Sequence, residues 1–554
     1  MRNRLLRHGV ITVLLAVAAF VQAGCGGSGD SSPIPTTPTP APVSSVAVSA
    51  PTTSMTLGAT SSFTATVKDA SGNTLTGRAV SWSSSADAVA TVSQSGVVTA
   101  IAAGVATIQA TSEGKSGQAS VTVLPAVASL VLAQDSINVQ YGGTATLAAT
   151  ARDAAGVALT GRTIGWQSSD PTVATVSVAG VVNAVLPGVV TITASSEGKQ
   201  ATAKVRVVAA DISRIIDSVR QVFNLPALGG AIVTLNGGMI AVGVGGVRRW
   251  GTNTPVTLDD TWHLGSDTKT MTGLLAAITV KAGRVAWTDR MTTRYPELAP
   301  IARPEFATLT LRDLANMQSG IIGNPGFTPT GTAAQQRIAV DSWAVQQPAV
   351  SAYGTHYYSN VNYQILGEIL GRAWGTGYEQ ALRDRLWTPL GITSGGFGPT
   401  TAVGASNQPV GHAPNGTGWT VCEACDNSWA TGSGMVHMSL ADWSKVLQEV
   451  LRADAGQSTL LSQAEARVLT TGVSVISPTQ SYGVGWVVNT SGQRFVAHDG
   501  TNNRNRARAS VFLDSGVAFL LTTNAGDPAI DGGVPNAALN ALGPRLQTFW
   551  QTGK

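Results

Sequence analysis

Residues 262–278 read WHLGSDTKTMTGLLAAI, and this stretch decides how the larger, C-terminal part of the protein folds. Met271, Leu274, Leu275 and Ile278 fall at i, i+3, i+4 and i+7, the spacing of an apolar helix stripe. The periodicity predicts a helix that begins near Ser266, with Gly283 as its C-terminal cap. Ser266 and Lys269 stand three residues apart, so both side chains rise from one helix face. The Ser266 hydroxyl then sits at the N-terminal end, where the helix dipole favours developing negative charge. A serine is a poor nucleophile until a base lies within hydrogen-bond reach. A lysine can be that base once burial or a neighbouring cation lowers its pKa.

S-x-x-K is weak evidence alone, because Ser112-Glu-Gly-Lys115 and Ser196-Glu-Gly-Lys199 share it. Both belong to an internal repeat. Gly77-Arg78 recurs as Gly161-Arg162, Trp82 as Trp166, Gly96 as Gly180, Gly104 as Gly188, and Glu113-Gly114-Lys115 as Glu197-Gly198-Lys199, always 84 residues later. A constant offset means duplication without insertion. Runs such as VATVS and ATIQAT alternate between Gly, Asp and Asn turns, the pattern of short antiparallel strands in a sandwich. The two repeated S-x-x-K copies therefore read as turns, and Trp82 and Trp166 as core residues. The Ser266 copy has its helix and, farther on, a Tyr-x-Asn that occurs once, Tyr358-Ser-Asn360. That motif precedes a second helical stripe, Val361, Ile365, Leu366 and Ile369, and a tyrosine just ahead of a helix can point its phenol into a cleft. A third element, His498-Asp499-Gly500, precedes two expected strands, Ala509 to Leu513 and Val517 to Thr523, joined by Asp-Ser-Gly516.

The protein has 554 residues, which implies two to four domains. Charged residues are 12% and the net charge is +4, with no long Lys/Arg run past the N-terminus, so no nucleic-acid partner is expected. Arg2, Arg4 and Arg7 precede an apolar run from Val10 to Val21 and then Ala23-Gly24-Cys25, an export signal at 1–24. The run is too short for a comfortable membrane span. Residues 25–43 form a Gly/Ser then Pro/Thr tether. The repeats take 44–125 and 126–209, and a third domain 210–554, where Trp, Tyr, Leu and Arg rise. Of three cysteines, Cys422 and Cys425 form the possible pair; two cysteines at this spacing in an exported protein are more often a disulfide than a metal knuckle. Zinc would need two further ligands, and only His412 and His437 lie nearby, so no metal is expected.

Several resemblances sharpen these readings. Ala-Gly-Cys25 resembles a bacterial lipobox, although Gln22 stands where Leu is usual. It implies a lipidated Cys25, membrane attachment through that lipid, and an outer-membrane or periplasmic location, extending to the cell surface. VSWSSSADAVATVSQSGVVTAIAAGVATIQA resembles the group 2 bacterial Ig-like repeats, modules that suit contacts with cell wall or surface glycans. S-x-x-K, then Y-x-N, then [KH]-x-G resembles the class C β-lactamases, DD-peptidases and related esterases. Leu309-Thr-Leu-Arg-Asp-Leu…Gln-Ser-Gly320, Trp387-Thr-Pro-Leu-Gly391, Gly432-Ser-Gly-Met435 with Leu440-Ala-Asp-Trp443, and Tyr482-Gly-Val-Gly-Trp486 resemble its flanking segments in order. The implied fold is two all-β Ig-like sandwiches, then an α/β (α+β) domain whose antiparallel sheet is flanked by helices, with an all-helical region from about 290 to 475 holding Tyr358.

The implied chemistry is acyl transfer without a cofactor. Ser266 attacks a carbonyl, Lys269 and a phenolate-like Tyr358 relay its proton, and His498 completes the catalytic set. Backbone N–H groups of Ser266 and Thr501 form the oxyanion hole, while Asn360, Asp499 and Gly500 line the substrate site. Asp499 departs from the Thr of Lys-Thr-Gly. Pointing inward, its carboxylate would repel the carboxylate of a β-lactam or a D-Ala-D-Ala end, which favours an ester, amide or lactone lacking one. Arg504, Arg506 or Arg508 could offset that repulsion. Substrates expected are small molecules or peptidoglycan-derived; no feature specifies an oligomeric state. The competing reading is an inactive envelope adhesin or peptidoglycan-binding lipoprotein, whose mark would be a missing Ser, Lys or Tyr, and none is missing.

Overall fold

The computed structural model describes residues 41–405, 407–416, 418–423, 425–527 and 533–553. The N-terminal signal, Cys25 and most of the tether lie outside the described residues. The protein divides into two compact units between Ala126 and Val127.

The first unit is a β-sandwich. One sheet runs Ser54–Thr56, Lys115–Leu124, Gly104–Ser112, Ser81–Ser84, and another runs Thr60–Ser62, Val97–Ala100, Ala90–Val92. Met55, Phe63, Val98, Ile108 and Val121 fill the space between them. The second repeat has the same orders shifted by the repeat length, so Trp82 faces Ala110 and Trp166 faces Ala194. The repeated landmarks now have physical reasons. Ser112 pairs with Lys115, and Ser196 with Lys199, across two-residue hairpin loops. The Glu-Gly between them has φ of 47° and 77° in one copy and 47° and 79° in the other, two positive values as a type I′ turn requires. Gly96 lies under the Trp82 ring and Gly180 under Trp166, where a Cβ would stand 2.5 and 2.4 Å from the carbonyls of Phe63 and Leu147.

The second unit holds the second sandwich together with the third domain. Strand Lys199–Val208 leads straight into Ala210–Asp211, which pairs parallel with Ala241–Val242 at the edge of the large sheet. Tyr141 of the repeat packs on a cluster with Ile212, Ile216 and Leu539, and Leu186 abuts Gly237. The large sheet has nine strands, in the order Ala210–Asp211, Gly238–Gly246, Ala227–Thr234, Val517–Thr523, Arg506–Phe512, Phe495–Thr501, Val487–Asn489, Gln480–Tyr482, Ser474–Ser477. Apart from the first pair, neighbours are antiparallel.

Strand alternation splits the sheet's side chains between two cores. Leu228, Ile232, Phe519 and Leu521 meet helices Ser213–Val222 and Val534–Thr552. Ala231, Val233, Ala509 and Leu520 meet the opposite core, which includes helices Thr268–Lys281, Asn360–Trp374 and Leu440–Asp454. The sheet is therefore covered by helices on both faces.

Two expectations need correction. The region 290–475 is not all helical: it contains short strands Gly396–Phe397, Gly411–Pro414, Trp419–Cys422 and Val436–Ser439, the last paired with Thr261–His263. The Lys269 helix is not amphipathic. A 3-10 turn, Gly265–Asp267, leads into Thr268–Lys281, and nearly every side chain is buried, including Thr268, Thr270 and Thr272. Its threonines satisfy themselves on backbone carbonyls, as Thr268 Oγ1 donates to Gly265 O and Thr270 Oγ1 to Asp267 O, each at 2.7 Å. Such bonds let polar residues sit in a buried helix.

Candidate active site

From Thr261 to Ala277 every residue is buried except Ser266. This segment thus opens to solvent at one hydroxyl. Lys269, one turn along, is fully buried and places Nζ 3.0 Å from Ser266 Oγ. Its two other bonds, each 2.7 Å, go to Asn360 Oδ1 and to the Ser433 carbonyl. Asn360 opens its helix beside the Ser359 N-cap, whose hydroxyl oxygen accepts from Asn362 N–H. The Asn360 amide nitrogen donates to Asn324 Oδ1 at 2.8 Å, which fixes its oxygen toward the lysine.

These partners define the polarity of the site. Burial holds the Lys269 ammonium well below the ordinary lysine value. A neutral amine has two N–H donors and one lone pair. Asn360 Oδ1 and Ser433 O can only accept, so they take the two donors. The lone pair is left for Ser266, the only partner with a proton to give. Asp267, also fully buried, is pushed well above the usual carboxylate range by burial and by Asp499.

Tyr358 sits at the mouth, 40% exposed, with Lys269 Nζ 4.8 Å from its ring centre. Its hydroxyl end turns inward to a hydrogen bond with Ser266. Desolvation there pushes the phenol up from 10.0, and the Ser266 bond only partly opposes the rise. This does not fit a phenolate-like tyrosine: Tyr358 rests protonated, and the buried lysine is the stronger candidate base.

His498 lies behind the site. Its Nδ1 is 2.9 Å from the Asp499 carbonyl, which can only accept, so Nδ1 carries the proton. Nε2 then accepts from Tyr482 O–H at 3.1 Å. Burial, with the nearby Lys269, pushes its pKa down to about 3. His498 is thus a neutral ring that packs 6.2 Å from the Tyr358 ring centre. Both ring nitrogens are engaged away from Ser266.

Asp499 departs most from expectation. Neighbouring Gly500 faces inward, where a Cβ would stand 1.8 Å from Leu264 O and 2.9 Å from Asp267 Oδ2. By alternation Asp499 points to the other face. There Arg508, opposite it in the sheet, donates to Oδ1 at 2.6 Å and to Oδ2 at 2.8 Å, while Asn536 and Asn540 of the last helix hold the same guanidinium. The carboxylate is neutralised and does not line the cleft, so the repulsion argued from it has no basis. Gly500 is a packing residue for the same geometric reason.

The turn that carries Ser266 meets the end of the strand that carries Thr501. Gly265 has φ 52°, and a Cβ there would lie 2.3 Å from Thr501 N. The backbone just ahead of Ser266 therefore packs directly against the Thr501 amide, an approach that only a bare Cα permits. Cys422 and Cys425 are joined as a disulfide, with Cα atoms 5.9 Å apart. His412 spends both nitrogens, accepting from Trp250 N–H at 2.9 Å and donating to Asn524 O at 2.8 Å. Among the described residues no three His, Cys, Asp or Glu side chains gather as metal ligands.

Sequence reading missed Ser433 O and Asn324, which complete the Lys269 and Asn360 network, and Tyr482, which anchors His498. Gly432-Ser-Gly-Met435 and Tyr482-Gly-Val-Gly-Trp486 were visible as segments, but their contacts are backbone or buried-ring contacts that residue type does not announce.

Comparison with known proteins agrees with this architecture. The model of the "Beta-lactamase" family matches residues 222–542, and that of the "Bacterial Ig-like domain (group 2)" matches 42–123. Penicillin-binding protein 4 of Amycolatopsis lactamdurans is 32% identical over 182 residues, 32% of this chain and 46% of that protein, so the match spans less than half of that relative. The D-alanyl-D-alanine-carboxypeptidase/endopeptidase AmpH of Escherichia coli K12 is 25% identical over 279 residues, 47% of this chain and 69% of that protein. The D-amino acid amidase of Ochrobactrum anthropi SV3 has the same fold, with TM-score 0.51 and 18% identity over 62% of this chain and 98% of that one. The match to the first family covers more than half of the sequence, so this chain belongs to the β-lactamase family of serine hydrolases, with a bacterial Ig-like domain ahead of it.

Proposed function

We propose that the protein is a cell-envelope hydrolase that cleaves ester or amide carbonyls through an acyl-enzyme on Ser266. The observation that carries this reading is Lys269: its other two partners are pure acceptors, so its lone pair has only the Ser266 hydroxyl to face. Ser266 Oγ adds to the carbonyl carbon as its proton passes to Lys269. The carbonyl oxygen, now negative, is met by the amides of Ser266 and Thr501. Tyr358 gives its phenolic proton to the leaving group and recovers one from Lys269. Water then reverses the sequence to release the acid. One oxyanion donor is worth roughly 3–4 kcal/mol of barrier in such sites.

The third motif bears on the substrate's charge. His498 is neutral, and Asp499 faces away in a pair with Arg508. This strand therefore offers no fixed cation for a substrate carboxylate, which favours esters or amides lacking one. The cause of this preference is a missing attraction and not a repulsion by Asp499. A second reading, a D-amino peptide or amide from peptidoglycan, is favoured by what the similar proteins are named for. The export-type N-terminus, the Ig-like repeats and the penicillin-binding relatives support an envelope location, with Cys25 as lipid anchor.

The test is a comparison of kcat/KM for short-chain nitrophenyl esters and for nitrocefin on purified enzyme. We expect the esters to be favoured by about tenfold or more, the worth of one lost ionic contact. Faster nitrocefin turnover would reject the uncharged-substrate reading.

A further inference from the structure

Behind the oxyanion hole lies a small cleft lined by His263, Gly411, Cys425, Asp426, Asn502 and Arg504. The catalytic scheme above uses none of them. Two of these residues neighbour the oxyanion donors in sequence: His263 lies just before Leu264-Gly265-Ser266, and Asn502 follows Thr501.

Each is tied to the backbone that presents a donor. Gly265 N–H donates to His263 Nδ1 at 3.1 Å. With Nδ1 accepting, the ring proton lies on Nε2. That nitrogen is buried and lies 3.2 Å from Asp426 Oδ1, at an angle short of a well-formed hydrogen bond, with no other acceptor in reach. On the other side, Asn502 Oδ1 takes the backbone N–H groups of Arg504 at 3.1 Å and Asn505 at 2.8 Å, which closes the turn after Thr501. The Asn502 amide nitrogen donates to the same Asp426 Oδ1 at 2.5 Å. One oxygen atom thus accepts from Asn502 and faces His263 Nε2, the two side chains tied to the backbone on either side. Asp426 directly follows Cys425 of the Cys422–Cys425 disulfide, and Glu423 pairs with Arg249. His263, Asn502 and His437 draw its pKa below the usual value although burial opposes them, so it stays ionised.

We propose that Asp426 is a positioning residue for the oxyanion hole, clamping the Gly265–Ser266 turn through His263 and the Thr501 turn through Asn502. It touches neither substrate nor Ser266. Its action is to hold two backbone N–H groups, carried by segments far apart in sequence, at a fixed separation. This inference rests on the acyl-enzyme reading of Ser266.

The experiment measures turnover of a nitrophenyl ester and affinity for a boronic acid, which adds reversibly to a serine and places an oxygen in the oxyanion hole. Asp426→Ala should lower kcat by about 10²-fold, the cost of roughly 1 Å of misplacement, with KM little changed and boronate affinity falling in parallel. Asp426→Asn keeps an oxygen acceptor in place and should recover most of the loss. Asn502→Ala should resemble Asp426→Ala, and the double variant should be no worse than either, because one clamp is already broken. Wild-type kcat and boronate affinity in Asp426→Ala, or full additivity in the double variant, would overturn the proposal while leaving the Ser266 reading intact. Undiminished turnover in Ser266→Ala would instead remove the reading beneath it. If Asp426→Ala does not fold, Asn502→Ala carries the test, and wild-type behaviour there overturns it.

Discussion

Lys269→Arg should all but abolish turnover, with kcat/KM falling by roughly 10²- to 10⁴-fold, the usual contribution of a positioned general base. Arginine keeps the charge and the donors but never yields a lone pair at any pH the protein survives. The pocket around Nζ holds two pure acceptors and the Ser266 hydroxyl, and only a group that can become neutral turns the third contact into proton acceptance. The pH profile of the native enzyme carries the same information. Burial depresses the Lys269 pKa well below 10.5, so the neutral form is populated far below the range of a free lysine. Activity should be lost as pH falls through that depressed value, and should not keep climbing toward pH 10.5. Steady-state kinetics across pH, with circular dichroism to verify folding, reads both effects. An arginine variant within tenfold of the native rate would contradict the role assigned to the lysine.

The second large effect is expected from Gly265→Ala. The residue has φ 52°, and its Cα approaches Thr501 N so closely that a methyl would stand 2.3 Å away. A left-handed conformation costs an L-residue about 1–2 kcal/mol before any clash is counted. The clash falls on Thr501 N, the proposed oxyanion donor, so it is relieved only by moving that group. We expect kcat to drop by roughly 10²- to 10³-fold, as when one such donor is removed. The thermal midpoint should fall too, whereas Gly283→Ala, at a helix end with open space around it, should leave kcat unchanged. Equal kinetic effects in the two variants would show that Gly265 matters only for stability.

The residues that carry side-chain chemistry were readable because they are rare and ordered along the sequence. Three S-x-x-K copies reduced to one once the 84-residue repeat was seen, and the structure shows the other two as two-residue hairpin loops. Tyr358 and Asn360 follow from a motif ahead of a helix. Asp499 shows where residue type misleads. Its charge suggested a role in the cleft, yet strand parity already held the answer, since inward His498 and Gly500 leave Asp499 on the opposite face. Contacts made by backbone atoms had no signature: nothing in the letters of Gly432-Ser-Gly announces that the Ser433 carbonyl receives the lysine. Strands of two to four residues, such as Gly396–Phe397, are too short for any alternation to stand out within a helical stretch. The second repeat was legible as a sandwich but not as a partner of the hydrolase, because Tyr141 and Leu186 meet surfaces that exist only after folding.

The central claim, that Ser266 is the acylated nucleophile, is tested most directly by intact-mass analysis of protein quenched during turnover of an activated ester. We expect one added acyl group per molecule, mapped by proteolysis to the peptide holding Ser266, and none in Ser266→Ala. An adduct that persists in Ser266→Ala, or one that maps to Ser112 or Ser196, would contradict it.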